Sequence, residues 1–412
     1  KLTSTCGGTA ANAVGTGGCA ESTINAVVFP AAPSITALSN TCNTALANIT
    51  AVTDLSASGF TDEYAVQAPG GSLSSYGTLA AANALLTATP GCWTIKARYK
   101  LTSTCGGTAA NAVGTGGCAE STINAVVFPT EPTITAPTNT CAAMFTLPTV
   151  SAVTGFTVQY SIDGGTYATS PSTTTPGCHS VKARYVITSA CGGTAALATA
   201  PVGCLESNTV HVVIFPAAPT ITATANTCEG TSFAMPTVSA VTGFTVQYSI
   251  DGGTYATAPT ETTPGCHTVQ ARYVLTADCG TVPIPALSTA PVACLESNIV
   301  SVVIFPNEPV ITAPTNTCAS MFTLPTVTAV TGFTVQYSID GGTYNTSPST
   351  STPGCHTVKA RYILTSACGS TAANTPSIAT CLESNTVSVV IYPAAPTIST
   401  PANTCAAMFS LP

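Results

Sequence analysis

The stretch Gly155-Phe-Thr-Val-Gln-Tyr-Ser-Ile-Asp-Gly-Gly-Thr-Tyr167 decides the fold class, and it recurs from Gly243 and from Gly332. Its apolar residues alternate, with Phe156, Val158, Tyr160 and Ile162 on one side and Thr157, Gln159 and Ser161 on the other. A period of two is that of a half-buried β-strand, and Asp163-Gly164-Gly165 is a hairpin signal because glycine accepts positive φ. Downstream, His179-Ser-Val-Lys-Ala-Arg-Tyr-Val-Ile187 alternates as well, and Thr209-Val-His-Val-Val-Ile-Phe215 reads as a closing strand.

Working outward, Lys1–Pro30 recurs letter for letter as Lys100–Pro129, and an Asn-Thr-Cys triplet holds Cys42, Cys141, Cys228, Cys318 and Cys405 at intervals of 99, 87, 90 and 87 residues. Such a period denotes an array of small domains, each one supersecondary unit repeated. The expected boundaries fall in Pro-x-x-Pro segments, each preceded by an aromatic (Phe29, Phe128, Phe215, Phe305, Tyr392). They give the end of one module in 1–30, complete modules in 31–129, 130–216, 217–306 and 307–393, and the start of another in 394–412. The repeat is cut at both ends, so the expectation is a section of a longer polypeptide. With about seven short strands per module and no helical stripe, the fold class is all-β, a tandem array of disulfide-bridged immunoglobulin-like β-sandwiches. Identical proline-stiffened linkers imply an extended rod.

Composition narrows the function. Only 6% of the 412 residues are charged, the net charge is −7, and the few basic residues form no patch, which argues against nucleic acid. No apolar run reaches the ~18 residues of a membrane helix, so any membrane link would lie in parts beyond this stretch. Nineteen cysteines at fixed places imply an oxidising compartment.

Each complete module carries four cysteines, which allow three pairings. Cys178 and Cys191 stand at opposite ends of one strand, about 40 Å apart at ~3.3 Å per residue, too far to bond. Cys191 and Cys204 flank one hairpin and are natural partners, leaving Cys141 for Cys178. The same reasoning gives Cys42–Cys92, Cys105–Cys118, Cys228–Cys266, Cys279–Cys294, Cys318–Cys355 and Cys368–Cys381, with Cys6–Cys19 in the partial first module and Cys405 unpaired.

No catalytic set emerges and no cofactor or metal is implied. His179, His267 and His356 share one position, which Trp93 takes in the first complete module. A metal site needs several convergent ligands, so a packing role at a strand start is the stronger reading, for these and for His211. Asp163, Asp251 and Asp340 read as turn residues, since calcium would want more oxygen ligands at short spacing. Glu21, Glu120, Glu206, Glu296 and Glu383 could pair with outward Lys or Arg for little energy. The tips between the third and fourth cysteines (Gly106–Gly117, Gly192–Gly203, Gly280–Ala293, Gly369–Thr380) vary most, as binding loops do, although an exposed tip also tolerates change.

Tyr-Ser-Ile-Asp-Gly-Gly-Thr-Tyr, then Thr-Pro-Gly-Cys-His-Thr-Val-Lys-Ala-Arg-Tyr and a final Ser-Asn-Thr-Val-Ser-Val-Val-Ile strand, resemble the Ig-like repeats of very large secreted surface proteins of Bacteroidota, over Thr130–Pro393. In Ala31–Lys100 the likeness is looser, with Ala68-Pro-Gly-Gly71 in place of the Asp-Gly-Gly turn and a longer Leu73–Thr89 stretch. Proteins of this sort include gliding-motility adhesins of the SprB type, exported by the type IX secretion system. The resemblance implies a cell-surface, extracellular location and the stalk of a long adhesin filament. Its partners would be an extracellular surface or polysaccharide and neighbouring modules of the same chain, with lateral bundling of rods left open. Two alternatives are a subunit of a filament polymerising by strand complementation and a non-catalytic carbohydrate-binding array.

Overall fold

The computed structural model describes residues 24–280, 294 and 296–400. The expected Cys6–Cys19 bond, Glu21, Cys405 and most of the Gly280–Ala293 tip lie outside the described residues. The chain forms two compact units. One comprises Lys1–Thr138, Thr146–Thr173 and His179–Val212, and the other Asn139–Phe145, Thr174–Cys178 and Val213–Pro412.

Four four-stranded sheets follow one another along the sequence. The first is made of β1 (Thr41–Cys42), β2 (Phe60–Gln67), β3 (Gly91–Leu101) and β4 (Ser121–Phe128). The second holds β5 (Thr140–Cys141), β6 (Phe156–Ile162), β7 (Gly177–Ile187) and β8 (Val210–Phe215). The third holds β9 (Thr227–Cys228), β10 (Phe244–Ile250), β11 (Gly265–Leu275) and β12 (Val300–Phe305). The fourth holds β13 (Thr317–Cys318), β14 (Phe333–Ile339), β15 (Gly354–Leu364) and β16 (Val387–Tyr392). Every sheet has the same order, with the two-residue strand beside the last strand, then the long strand, then the hairpin strand. The two-residue strand runs parallel to the last one, as in Cys228 opposite Phe305, while β10–β11 and β11–β12 are antiparallel. The all-β, Ig-like class expected from the period-two pattern is the fold observed.

The layer facing each sheet is extended chain without a ladder among the described residues. In the third module Ile221, Phe233, Met235 and Val238 of this layer pack on Val269, Ala271, Val302 and Ile304 of the sheet. Its segments are rich in proline, which donates no backbone hydrogen bond, so a regular second sheet is disfavoured. Side chains of the sheet satisfy the backbone instead. Asn298 Oδ1 accepts from Ile221 N at 3.0 Å and its Nδ2 donates to Ile221 O at 2.9 Å. Tyr248 donates to Pro236 O and Tyr273 to Ser239 O, each at 2.7 Å. The same ties recur as Tyr160 to Pro148 O (2.7 Å), Tyr185 to Ser151 O (2.6 Å) and Asn208 with Ile134 (2.9 Å both ways). Replacing Tyr273 by Phe should therefore lower stability by about 0.5–1.5 kcal/mol, the net value of one such bond. Chemical denaturation of the disulfide-intact chain, followed at the third module, checks it.

Two expectations need correction. Ser161, placed on the outward face by strict alternation, is buried, because the Asp-Gly-Gly turn folds over it and its Oγ donates to Gly165 O at 2.7 Å. Asp163 and Gly164 both have positive φ (53° and 70°), and Gly165 N closes the turn on Ile162 O at 2.9 Å. Nor is the first module free of helix. Leu79–Leu85 forms α1, rich in alanine and capped by Thr78, whose side chain accepts from Ala81 N at 3.2 Å. Asn83 on α1 accepts from Ile49 N at 2.7 Å, so the helix takes over backbone satisfaction of the facing layer there. Among the described residues no helix is long and apolar enough to cross a membrane.

Candidate functional site at the cysteine junctions

The chain's distinctive chemistry lies where one module meets the next. At the end of each sheet the last strand is flanked by two cysteines, one on the two-residue strand and one at the start of the long strand. None of the expected pairings within a module is formed among the described cysteines. Cys42 bonds Cys204 and Cys92 bonds Cys191, joining the first module to the second. Cys141–Cys294 and Cys178–Cys279 join the second to the third, and Cys228–Cys381 and Cys266–Cys368 join the third to the fourth. Their Cα–Cα distances of 5.5–6.2 Å are ordinary for disulfides. Cys105, Cys118, Cys318 and Cys355 remain free, so Cys105–Cys118 and Cys318–Cys355 are not formed either.

The correction has a plain cause. Cys191 and Cys204 do sit together at one end of their module and Cys141 and Cys178 at the other, as strand lengths demand. Pairing inside each end satisfies distance, but pairing across to the neighbouring module does so equally. Strand geometry alone does not choose between them.

The disulfides surround a packed core. At the first junction Val126 and Phe128 of β4 meet Ile187, Cys191, Ala200 and Cys204, with Phe156 against them. The Phe128 and Phe156 rings are 5.5 Å apart, and Phe215–Phe244 (5.9 Å) and Phe305–Phe333 (5.7 Å) repeat the contact. Phe128, Phe215 and Phe305, each the aromatic before a Pro-x-x-Pro segment, are thus the plugs of the three closed junctions, with Phe128 and Phe305 fully buried. The variable tips of the second and fourth modules are not free binding loops over their whole length, because their cysteine-bearing roots, Cys191 and Cys204, and Cys368 and Cys381, are buried here. Leu197 and Val202, farther along one tip, are exposed.

Two further residue types complete the junction. The asparagine of the Asn-Thr-Cys triplet reads the last strand, Val126 N donating to Asn40 Oδ1 at 2.8 Å, and reaches across, its Nδ2 donating to Thr194 Oγ1 at 3.0 Å. Asn226 does the same with Val303 N (2.9 Å) and Thr371 Oγ1 (3.3 Å). Sequence reasoning fixed on the neighbouring cysteine and missed this asparagine, although its invariant place in all five triplets was a signal. The glycine after the third cysteine of a module is equally constrained. Gly192 has φ +57° and a Cβ there would stand 2.7 Å from Asn124 Cβ, while one at Gly369 would stand 2.7 Å from Ser301 Cβ. An alanine at either place would meet both left-handed strain and a clash.

The histidines lie at the junction end of each sheet. His179, His267 and His356 are buried, and each places Nδ1 2.7–2.8 Å from the aspartate of its own Asp-Gly-Gly turn, namely Asp163, Asp251 and Asp340. The two residues read separately from the sequence are therefore one pair. His267 and His356 also direct Nε2 at the carbonyl four residues back, Thr263 O (2.9 Å) and Thr352 O (2.7 Å). Trp93 keeps that second bond alone, Nε1 donating to Thr89 O at 3.0 Å, in the one complete module that lacks the aspartate. Among the described residues no three His, Cys, Asp or Glu side chains converge on a metal position. His211 is half-buried on β8.

In the fourth module the Asp340 hydrogen bond, followed by the Thr352 carbonyl, raises the His356 pKa above 6.5. The His356 hydrogen bond, with that of Thr357 N, holds Asp340 below 3.8. The histidine part of the stabilisation is complete below pH 6.5 and lost as pH rises through the raised value. The aspartate part is complete above pH 3.8 and lost as pH falls through the lowered value. The pair should stabilise the fourth module most between these ordinary values. An NMR titration should put the His356 midpoint above 6.5 and return it towards 6.5 in Asp340→Asn.

On the outer face Lys182 bridges Glu206 and Lys359 bridges Glu383, each at 2.8 Å, while Lys96 meets Glu120. Arg184, held by Gln159, lies 4.0 Å over the Tyr167 ring. The Tyr167 hydroxyl has no partner in hydrogen-bonding geometry but lies near Glu206, and burial, then that carboxylate, push its pKa up. These exposed networks dress the sheet and add little stability.

No family model matches the chain, and no curated protein is similar to it. Solved structures do align. A Bacteroides ovatus surface protein from a mixed-linkage glucan utilization locus, in complex with a mixed-linkage heptasaccharide, is 13% identical over 63% of this chain and 67% of its own, with a TM-score of 0.15. An I-band fragment of titin is 9% identical over 65% of this chain and 97% of its own (TM-score 0.25). A Drosophila N-cadherin fragment is 7% identical over 87% and 98% (TM-score 0.17). At these scores no ligand or partner transfers to this chain, and the fold rests on the sheets themselves.

Proposed function

We propose that this chain is a load-bearing section of an extracellular stalk, a string of Ig-like modules that spaces or presents adhesive contacts away from a cell. One observation carries the reading: two disulfides close every described junction between successive modules, each around a buried aromatic plug. Covalent bonds between successive domains in series keep a tether under tension from lengthening when a domain opens. Disulfides in this number also suit a compartment outside the cytoplasm. The modules are taken to run 31–129, 130–216, 217–306 and 307–393, joined through their Pro-x-x-Pro segments. On the resemblance of the repeats to Bacteroidota surface adhesins, the reading extends to a stalk of the gliding-adhesin kind exported by a type IX system, without catalysis of its own. Weak contacts repeated along such a stalk would gain by multivalency.

The reduced mass of the native polypeptide tests this, together with its exposure to protease on intact cells. A polypeptide of hundreds of kilodaltons shaved from the surface is the expected result. A 41 kDa product retained inside the cell would overturn it.

A further inference from the structure

The outer faces of the second and fourth sheets carry the same hollow. In the second it is lined by Ser161, Gly164, Tyr167, Ser180, Lys182 and Glu206 and holds about 370 Å³. In the fourth the counterparts from Ser338 to Glu383 line about 270 Å³. The frame is fixed by hydrogen bonds. Ser338 Oγ donates to Gly342 O at 2.7 Å, as Ser161 does to Gly165 O. Asp163 Oδ1 accepts from Ser180 N and Asp340 Oδ1 from Thr357 N, each at 2.8 Å. Arg361 lies 4.0 Å over the Tyr344 ring, as Arg184 does over Tyr167. Across this frame stands an ion pair, Lys182 with Glu206 or Lys359 with Glu383, whose side chains are 32–43% exposed. The lysine hydrogen bond above all holds Glu206 and Glu383 below 4.5. Both charges are therefore present at neutral pH and open to water.

What such a hollow can hold follows from its charges. A singly charged ligand gains from one member of the ion pair and is repelled by the other at similar range. An apolar ligand strips water from both and returns nothing. A neutral ring with adjacent hydroxyls suits the pair, since each hydroxyl both donates and accepts. One hydroxyl donates to the carboxylate while its neighbour accepts from the ammonium, and hydrogen bonds to charged groups are the strong ones. The volume lies at the low end of the ~300–1,000 Å³ of ligand sites, with room for one such ring. We propose that the two hollows are sugar-binding sites, each taking one unit of a neutral polysaccharide. A polymer offers the same unit many times, so two weak sites on one polypeptide gain by multivalency. The third module is the natural contrast. It keeps Ser249, Asp251, Tyr255 and Glu296, but Gln270 stands where its neighbours have lysine, and an amide replaces the ammonium. The first module has no Asp-Gly-Gly turn to wall the hollow. The inference rests on these sheet faces and holds whether or not the chain is a stalk.

For the test, the disulfide-intact, isotope-labelled chain is titrated with glucose, galactose and mannose, with glucuronate as the anionic control, and amide NMR shifts are followed module by module. At least one neutral sugar should saturably move the amides of Gly164 and Ser180, and of Gly341 and Thr357, while the first and third modules stay still. Glu206→Gln should weaken binding about tenfold in the second module alone, with the unchanged fourth module showing that the chain is folded. Gln270→Lys should create a third responding site at Gly252 and Thr268. The matching polymer (dextran, galactan or mannan) should bind about tenfold or more tighter per sugar unit than its monomer. No response at these amides to any of the neutral sugars would overturn the proposal, as would an equal response to glucuronate or an unaltered affinity in Glu206→Gln. A polymer bound no tighter than its monomer would overturn the polysaccharide in favour of the free sugar. The native mass bears on the stalk and leaves these results untouched, so the two readings fail separately.

Discussion

Pulled by its ends with its disulfides intact, the chain should give no extension longer than about 85 Å between Cys42 and Cys381, against about 1,200 Å in reductant, at ~3.5 Å per residue. The bonds interleave. Cys42–Cys204 carries load past the rest of the first module and most of the second, and Cys228–Cys381 past the third and most of the fourth. Only the backbone from Cys204 to Cys228 lies in series between them. A covalent route thus runs alongside the folded modules, so their unfolding does not lengthen the tether. Single-molecule extension with and without reductant reads the difference directly. Pairing confined within modules would give an intermediate value of about 430 Å by the same count of residues in series. That outcome would overturn the junction assignment, and full extension without reductant would remove the disulfides altogether.

Phe305→Ala should cost the third junction about 3–5 kcal/mol, the usual price of truncating a buried phenylalanine. Phe305 is fully buried with Leu364, Cys368, Cys381 and Phe333 around it. Tyr392→Ala, at the same position of the repeat but half exposed, should cost well under half as much. Because several modules do not unfold as one two-state system, amide hydrogen exchange is the suitable measurement. Protection of Val300–Phe305 should fall by roughly two to three orders of magnitude in Phe305→Ala, and that of Val387–Tyr392 by little in Tyr392→Ala. Equal losses at the two sites would mean that the plug owes its stability to its own sheet and not to the neighbouring module.

The contrast between Phe305 and Tyr392 separates what is local in this protein from what is not. Alternation in Phe156–Ile162 and His179–Ile187 determined strands, and Asp163-Gly164 determined the hairpin, because side-chain direction and turn dihedrals follow from a few adjacent residues. The 87–99 residue period determined the array in the same way. Where the period-two rule failed, at Ser161, a neighbouring turn supplied the burial. Where helix appeared, in Leu79–Leu85, alanine content and the Thr78 cap outweighed the β context. The Asp163–His179 pair joins residues that each looked merely structural, since register across a hairpin is needed to bring them together.

Cysteine partnership lay beyond the sequence for a different reason. Four cysteines at two ends of a module satisfy the reach of a disulfide whether each end pairs with itself or with its neighbour, and strand length is blind to that choice. Module stacking decides it, because burying Phe128, Phe215 and Phe305 brings the next hairpin's cysteines within bonding distance of the pair that flanks each last strand. Repetition, strands and turns were therefore determined by the sequence itself. The covalent ladder was decided by the tertiary structure alone, since it depends on contacts between modules that no single module encodes.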